Sequence, residues 1–402
     1  MKALRNYLNR IKPNFEPGGK LQAFQSVFDG LETFLYTPNT TSSSGVNVHD
    51  SLDSKRVMII VVLALMPCLL FGMYNTGYQN WLAAGATEFP FWQLMGYGFL
   101  AVIPRIVVAY VVGPGIEFVV AQWRHEEIQE GFLVTGILIP LICPIETPLW
   151  MLAVATAFSV IFVKEVFGGT GYNVFNVALV TRAVLFFGYP AQMSGDKVFV
   201  SSNSILGLGF DLPDGFSGAT PLGQIASFTG GKLELLNIQG NAVSAWDAFL
   251  GLIPGSFGET STLAILIGAV LLLATGIASW RIMLSVVAGG LLMGWVANLF
   301  ATPTYPASFL SPVEQLLFGG FAFAAVFMAT DPVTAARTNA GKYFYGLLVG
   351  AMAIVIRTYN NGYPEGAMLA VLLGNALAPL IDYCVVQLNV ARRMRRLRRS
   401  AE

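Results

Sequence analysis

The loop Asp214-Gly215-Phe216-Ser217-Gly218-Ala219-Thr220 combines turn-forming residues with a hydroxyl group at its end. Gly tolerates positive φ angles, and Asp and Ser side chains bond to the nearby backbone, so the loop is predicted to turn tightly. Gly218 and Ala219 are too small to shield the Thr220 hydroxyl, which could therefore be esterified with a bulky group. Hydroxyl residues are ordinary in loops, so an unmodified turn is the commoner alternative for this pattern alone.

A second group of polar residues lies in apolar stretches. A charge at the centre of a bilayer costs roughly 2.5–3.5 kcal/mol on insertion scales, so such residues face partners or an aqueous path. They are Arg105, Arg182, Asn176, Asn298, Asn375 and Asp382, with Glu146, Asp331 and Glu365 at breaks between stretches. Each could simply pair within the bundle, but together they predict a polar path through it.

Several motifs of soluble enzymes are absent from the sequence. It has no GxxxxGK[ST] loop and no GxGxxG between a strand and a helix, which argues against ATP hydrolysis and a Rossmann NAD site. The three cysteines form no CxxC pair, and the two histidines lack metal-ligand spacing. Because 23 Lys and Arg balance 23 Asp and Glu, net charge gives no indication of nucleic-acid binding.

Composition predicts the elements that position these residues. Of the 402 residues, 55% are hydrophobic and 11% are charged, whereas soluble domains are about 25% charged. We therefore predict an all-α polytopic membrane protein, in which about 20 apolar residues form each crossing. Ten transmembrane helices are predicted, at 57–74, 91–112, 131–143, 149–163, 174–187, 263–277, 282–300, 313–329, 343–356 and 368–390.

The distribution of Lys and Arg supports ten crossings with both termini in the cytoplasm. Segments assigned to the inside hold 18 of the 23 and outside segments hold 3, while Arg105 and Arg182 fall within spans. This divides the chain into five predicted regions. They are a cytoplasmic segment and linker (1–56), a first transmembrane half (57–187), an extracytoplasmic insert with Thr220 (188–262), a second half (263–390) and a cytoplasmic Arg-rich tail (391–402).

The two halves are predicted to be inverted repeats, because five spans in each give them opposite orientations. Pro144 follows the third span and Pro332 follows the eighth. We expect broken helices around a buried site there, with tilted or locally thinned spans as the alternative. Asn176 in the fifth span and Asn375 in the tenth lie in similar short sequences, which is weak support for a repeat.

The pattern Asp-x-x-Ser-Gly-Ala-Thr at 214–220 resembles the site at which a flavin transferase joins FMN to threonine, with Phe216 replacing an aliphatic residue. The sequences at 175–179, 328–334, 363–366 and 379–382 resemble a membrane-subunit family shared by two redox pumps. Its members are the B subunit of the sodium-translocating NADH:quinone oxidoreductase and the D subunit of the ion-translocating ferredoxin:NAD oxidoreductase. The resemblance covers roughly residues 20–390, and the long N-terminal segment is closer to the B subunit.

This resemblance implies a covalent FMN on Thr220, a noncovalent riboflavin, and electron transfer to ubiquinone coupled to Na⁺ export. Electrons would come from a covalent flavin on the C subunit and pass through FMN and riboflavin to ubiquinone. It also implies a six-subunit complex with partners A, C, D, E and F, a flavin transferase, and the bacterial inner membrane. Thr220 would be periplasmic, on the side that the charge distribution indicates independently. The chain is not expected to be active alone.

Ligand-binding residues are expected at two places in the first half and one in the second. For ubiquinone we expect Glu130, Gly131 and Phe132, because a glycine beside an aromatic residue leaves room for a flat headgroup. A closely packed helix start is the equal alternative. For riboflavin we expect Asn176 and Asn375, since amide groups suit the edge of the flavin ring.

Carboxylates and carbonyl groups at helix breaks suit Na⁺, so Asp382, Asp331 and Glu365 are the expected sodium ligands. Two other functions stay open. One is the sister subunit of the ferredoxin-linked pump, and the other is a passive channel or carrier for a small polar solute. A channel has no need of a flavin attachment sequence, which separates it from both pump subunits.

Overall fold

The computed structural model of the protein describes residues 2–15, 54–124, 131–194, 198–213, 216–228, 234–360 and 362–401, with single positions at 19, 22, 25, 28, 32 and 45. Over these ranges the chain forms helices and loops, and its only extended pairings are two isolated bridges. The α-helices in chain order are α1 (Lys2–Ile11), α2 (Ser54–Ala83), α3 (Phe91–Arg124), α4 (Phe132–Ile142), α5 (Leu149–Ser159), α6 (Val177–Gly188), α7 (Pro221–Ala226), α8 (Ala245–Leu250), α9 (Thr262–Ala274), α10 (Trp280–Leu299), α11 (Pro312–Leu317), α12 (Phe321–Phe323), α13 (Asn339–Tyr359) and α14 (Ala367–Ala401).

Five of these helices are long and apolar enough to cross a membrane, namely α2, α3, α10, α13 and α14. They contain 20 to 35 residues, and about 20 are needed for a crossing. Large apolar side chains such as Leu63, Val111 and Trp295 are exposed on their outer faces, as expected where the surrounding solvent is lipid. The prediction of an all-helical, multi-pass membrane protein is therefore confirmed for the described residues.

The other five predicted spans correspond to shorter helical segments. α4, α6 and α9 contain 11, 12 and 13 residues, and α5 continues into the π-helical turn Val160–Glu165. Span 313–329 is divided between α11, α12 and a second π-helical turn, Ala324–Met328. Because none of these α-helices reaches about 20 residues, ten complete crossings and two inverted repeats stay predictions.

The eighth predicted span is broken in its middle. Gly319 and Gly320 have φ angles of +64° and +68°, a left-handed conformation that residues with a Cβ atom rarely adopt. Arg357 from α13 bonds the carbonyl groups at the end of α11. Its Nη2 donates to the oxygens of Phe318 (2.8 Å) and Gly319 (3.3 Å), and its Nη1 donates to that of Gln315. Arg357 is one of the three basic residues counted in outside segments from the sequence, but it is 2% exposed and lies within α13.

α4 also ends inside the bundle. The N–H of Gly258 donates to the carbonyl oxygen of Leu141 at 2.7 Å, and Arg182 from α6 donates to that of Ile142. The last carbonyl groups of a helix lack partners within the helix, and each unsatisfied one in lipid costs several kcal/mol. Two short helices can therefore end in the bundle because an arginine from another helix bonds their final carbonyl groups.

The insert between α6 and α9 is a folded cap on the ends of α2 and α3. The Asn80 side chain donates to the carbonyl oxygens of Ser201 and Phe210, both at 2.9 Å. The Tyr97 hydroxyl donates to that of Asn203 at 2.7 Å. A small hydrophobic core joins α7 and α8 to the chain around α11, and it consists of Leu222, Ile225, Ala248, Ile253, Ala307, Leu310 and Phe318. The insert thereby holds α7 beside the broken helix.

Candidate functional site

Thr220 is the N-cap residue of α7. Its Oγ1 accepts a hydrogen bond from the backbone N–H of Gly223 at 3.0 Å, as N-cap threonines commonly do. Pro221 suits the first helical position, where no N–H is needed. Thr220 as a whole residue is 8% exposed, so it is more buried than the loop sequence predicts. Its hydroxyl is held by the helix that it caps.

The rest of the attachment motif packs around a small residue. A Cβ atom on Gly218 would lie 2.7 Å from Cγ2 of Val200 and 3.0 Å from the ring of Phe216. Gly218 is buried, Ala219 is half-buried and Ser217 is exposed. Asp214 lies outside the described residues. The absence of a side chain at 218 is thus required by packing as well as by the attachment motif.

Thr220 borders a cavity of about 280 Å³. Three aromatic residues, Phe186, Phe199 and Tyr363, line this cavity, and Glu365 lines it too. Apolar and aromatic walls with a few polar groups are typical of cofactor sites. A ring system attached to Thr220 would therefore have a space of suitable chemistry beside it.

Arg182 joins two carboxylates next to Thr220. Its Nη1 donates to Oε1 of Glu259 at 2.9 Å and to Oγ of Ser256 at 3.2 Å, and its Nη2 donates to Oε2 of Glu365. Glu259, Glu365 and Thr220 also line a smaller cavity of about 20 Å³. Burial raises the pKa of the Glu259 carboxyl, and the positive charge of Arg182 opposes this shift. The cluster fixes charged groups at the position of the candidate attachment site.

A second cavity, of about 110 Å³, lies between the two halves. α2, α4 and α6 line it from the first half, while α9 and the loop after the second π-helical turn line it from the other. Gly131, Asn176 and Asp331 all border this cavity, as do Lys164 and Thr170. Residues that the sequence suggested for quinone, riboflavin and sodium are therefore brought together at one cavity.

Asn176, Asn375 and Asp331 meet at the junction of the halves. Asn176 caps the start of α6, and its Nδ2 donates to Oδ2 of Asp331 at 3.1 Å. Oriented to satisfy both ends of its amide, Asn375 donates to the Tyr345 hydroxyl at 3.0 Å and accepts from the backbone N–H of Asn176 at 3.3 Å. The two asparagines are thus in contact, and Asn176 borders the cavity while Asn375 supports it from behind.

Of the residues expected for quinone, Gly131 and Phe132 lie at the start of α4, and Glu130 lies outside the described residues. A Cβ atom on Gly131 would lie 2.5 Å from Cγ2 of Thr170, so the glycine permits the close approach of Thr170. Phe132 is 3% exposed and packs against Tyr110, with the ring centroids 6.3 Å apart. Gly131 therefore borders the cavity, and Phe132 belongs to the surrounding core.

The expected sodium ligands have different surroundings. Asp331 borders the 110 Å³ cavity, and Glu365 borders both cavities at Thr220. The Asp382 carboxylate instead accepts from the N–H groups of Arg337 (2.7 Å) and Thr338 (3.0 Å) and from the Thr338 hydroxyl (2.5 Å). It thereby fixes the start of α13. Among the described residues, no three His, Cys, Asp or Glu side chains lie together as a metal site.

Three charged residues that line these cavities or bond a lining residue are not identified from the sequence. The Lys164 ammonium group donates to Oε1 of Glu117, and both residues are 5% exposed. Lys164 and Glu117 both lie in apolar stretches of the sequence. Charged residues in such stretches are often functional in membrane proteins, so this signal could have identified the two residues. Glu259 lies in the polar insert, where nothing in the sequence indicates burial beside Arg182.

The two cavities lie at the two ends of α6. Asn176 at its start borders the 110 Å³ cavity, and Phe186 near its end borders the 280 Å³ cavity. Ten residues of α-helix span about 15 Å, which is the separation of these two lining residues along α6. Apolar helices that enclose charged clusters and internal cavities define this chain as a multi-pass membrane protein.

Comparison with known sequences identifies the family to which this membrane protein belongs. Residues 41–391 match the NQR2, RnfD, RnfE family, and the chain belongs to that family. It is 42% identical to the B subunit of the Na(+)-translocating NADH-quinone reductase of Azotobacter vinelandii, 43% to that of Ectopseudomonas mendocina and 41% to that of Klebsiella pneumoniae. In each case the match covers 98% of this chain and 99% of the relative. The family resemblance inferred from the sequence is thus confirmed.

Proposed function

We propose that this chain is the membrane subunit of a sodium-pumping NADH:quinone reductase and carries covalent FMN on Thr220. The observation that carries the proposal is the position of Thr220, at the end of the attachment motif and on the wall of an aromatic-lined cavity. Relatives named as the B subunit of the sodium pump match nearly the full length of the chain, which favours this subunit over its ferredoxin-linked sister. A passive channel gives no reason for the attachment motif beside such a cavity.

The residues around Thr220 fit an attached flavin. Oγ1 of Thr220 uses an acceptor position for the Gly223 N–H, so its own proton can leave when a phosphoester forms. Phe186, Phe199 and Tyr363 offer faces for stacking against a flat ring. FMN, when bound, supplies one- and two-electron transfer, and the chain supplies position and electrostatics. Arg182 and the two glutamates would fix the charge beside it.

The 110 Å³ cavity would hold the second redox ring. Asn176 would bond the ring edge, Asn375 would hold Asn176 in place, and Gly131 would leave room for the ring at the other end. Riboflavin and the ubiquinone headgroup are both flat rings with conjugated carbonyl groups, and we place this chemistry in the cavity. For sodium, Asp331 and Glu365 are better placed than Asp382, because both border cavities whereas the Asp382 carboxylate holds the start of α13.

We also propose ten crossings in two inverted repeats. The second and fourth segments pack together in both halves, as α3 with α5 and as α10 with α13. The fourth and fifth also pack together in both halves, as α5 with α6 and as α13 with α14. Asn176 and Asn375 lie in the fifth and tenth segments and contact each other. The insert with Thr220 would then be periplasmic, and the partners would be the other five subunits, a flavin transferase, ubiquinone and Na⁺.

The test is flavin fluorescence of the denatured subunit on a gel, after expression with the partner subunits and the flavin transferase. The wild-type subunit should fluoresce, and Thr220→Val should abolish the band because no hydroxyl remains to form the phosphoester. Mass spectrometry should place one FMN on the peptide that contains Thr220. Activity of the intact complex, as Na⁺-dependent quinone reduction by NADH rather than ferredoxin-coupled NAD reduction, separates the two pumps.

Two control variants make the test specific. Thr220→Ser keeps both the hydroxyl and the helix cap and should retain fluorescence. Ser227→Ala removes another hydroxyl from the same cavity and should retain it fully. Fluorescence that persists in Thr220→Val would place the attachment elsewhere, and a dark wild-type subunit would contradict the proposal.

A further inference from the structure

A lysine at the wall of the 110 Å³ cavity belongs to a buried lysine–carboxylate pair. Lys164 borders the cavity and donates to Oε1 of Glu117 on α3. Both residues are 5% exposed. Removing two charges from water costs about as much as their mutual attraction returns, and apolar replacements are often neutral or stabilising. Stability alone is therefore a poor reason for this pair, and its place at a cavity points to a ligand.

The local backbone sets Lys164 apart from an ordinary helical residue. It lies in the π-helical turn Val160–Glu165, and such turns are frequent at functional sites because they change the register of the residues that follow. Across the same cavity end, Thr170 contributes a hydroxyl whose oxygen has no hydrogen-bond partner among the residues that the structure describes. Lys164 and Thr170 thus border one space, and the Lys164 ammonium group can donate to an oxygen atom there.

We propose that Lys164 is the proton donor to a reducible ring in this cavity, and that Glu117 returns the proton to Lys164. The ligand class is a flat ring with conjugated carbonyl groups, one oxygen of which would accept from Lys164. The proposal rests on the proposed function, because the electrons must come from the reduced flavin chemistry of the same complex. Quinone and flavin rings share this chemistry, and the test below separates them.

Full reduction of a quinone in this cavity takes up two electrons and two protons. Two electrons from the reduced flavin and two protons convert two ring carbonyls into hydroxyl groups. One N–H bond of Lys164 breaks as one O–H bond forms, and the second proton comes from water. The Glu117 carboxylate then takes a proton from water and passes it to the neutral amine, which restores the ion pair. On a flavin ring the same proton would go to a ring nitrogen or carbonyl oxygen as the two electrons arrive.

The charged groups around Lys164 determine how the reaction depends on pH. Glu117 bonds the Lys164 ammonium group from α3, and Asp331 borders the cavity from the other half. Arg124 of α3 donates to the backbone carbonyl oxygen of Glu165, which lies on the same turn as Lys164. Once the ring has gained electrons, its own negative charge draws the proton from the lysine.

The test uses the whole complex with three variants of this chain. Lys164→Arg keeps the positive charge and the partner of Glu117, but a guanidinium group does not release its proton. Lys164→Met combined with Glu117→Leu removes both charges, so no buried charge is left unpaired. Lys342→Gln, on α13 away from the cavity, is the control. Each is assayed for flavin on Thr220, for quinone reduction from pH 6 to 9 in roughly unit steps, and for anaerobic flavin absorption during reduction.

Both Lys164 variants should keep the covalent flavin and lose roughly 100-fold in the proton-dependent step, the scale of general acid catalysis. If the loss is confined to quinone reduction and is relieved at low pH, the ring is a quinone. If the absorption change of a noncovalent flavin shifts with pH instead, the ring is a flavin. Wild-type behaviour of Lys164→Arg in both assays would overturn the proposal, because the charge alone would then suffice. A wild-type complex without flavin on Thr220 would instead contradict the proposed function.

Discussion

At the scale of single residues, Gly131 limits the width of the 110 Å³ cavity. Gly131→Ala would place a Cβ atom 2.5 Å from Cγ2 of Thr170, so the threonine must move into the space that the ring would occupy. Overpacking of this kind costs about 1–3 kcal/mol. We expect the KM for quinone to rise about tenfold, which corresponds to about 1.4 kcal/mol, in steady-state assays of the complex.

Gly115→Ala is the matched control for that substitution. Gly115 lies in α3, and a Cβ atom there would meet nothing within 4 Å. An alanine at this position should leave the KM unchanged, because it adds a methyl group to open space. Equal effects of the two substitutions, or a neutral Gly131→Ala, would mean that the Gly131 end of the cavity does not contact the substrate.

Residue types predicted part of the candidate site, and three-dimensional contacts determined the rest. The attachment motif singled out Thr220, but its burial depends on α7 packing beside Phe318 and Leu310, far along the chain. Asn176 and Asn375 were paired by similar sequences and are in contact. Glu259 could not be found from the sequence, because only the fold brings a residue of the polar insert against Arg182.

At the scale of elements, apolar runs predicted where helices lie but underestimated the length of some, including α2. α2 continues to Ala83, although the apolar run that predicted it ends at Tyr74. Asn75, Gln79 and Asn80 end that run in the sequence. In the fold, Asn75 and Asn80 donate to carbonyl groups of the insert, so these polar residues continue the helix under a protein cap rather than in lipid. A rule based on composition alone cannot detect a hydrogen-bond partner that lies in a distant segment of the chain.

The broken helix at Gly319 and Gly320 depends on one arginine, which gives a test. Arg357→Leu would leave the carbonyl groups of Gln315, Phe318 and Gly319 without their donor. An unsatisfied buried group costs about 1–3 kcal/mol, so we expect a loss of about 3 kcal/mol or more. For a chain of 402 residues that corresponds to a fall in Tm of roughly 4 °C or more. Thermal unfolding of the purified complex, followed by intrinsic fluorescence, measures it.

Arg281→Gln is the comparison for Arg357→Leu. Arg281 lies at the start of α10, where its Nη1 donates to Oδ1 of Asn339 at 2.7 Å in an exposed contact. Losing an exposed polar contact changes stability little, so the Tm should stay within about 2 °C of the wild type. A similar Tm for the two variants would show that the half-helix end finds other donors and that Arg357 is dispensable for the break.

At the scale of the whole molecule, the number of crossings decides on which side Thr220 lies. If only the five long helices crossed, the two termini would be on opposite sides of the membrane. With ten crossings the termini share a side, and the insert lies on the other. The arginines of the tail favour a cytoplasmic C-terminus, and the basic residues of α1 favour a cytoplasmic N-terminus. Both ends can be cytoplasmic only if the number of crossings is even, which requires the short segments to contribute.

Thiol labelling of intact cells tests this topology. In a background with Cys68, Cys143 and Cys384 replaced, single cysteines are placed at exposed positions in three regions, through Asn9→Cys, Gln239→Cys and Arg396→Cys. A membrane-impermeant maleimide should label Gln239→Cys from outside, because the insert is periplasmic when ten segments cross. Asn9→Cys and Arg396→Cys should label only after permeabilisation. Labelling of either terminus from outside would contradict ten crossings, and protection of Gln239→Cys would place Thr220 on the cytoplasmic side.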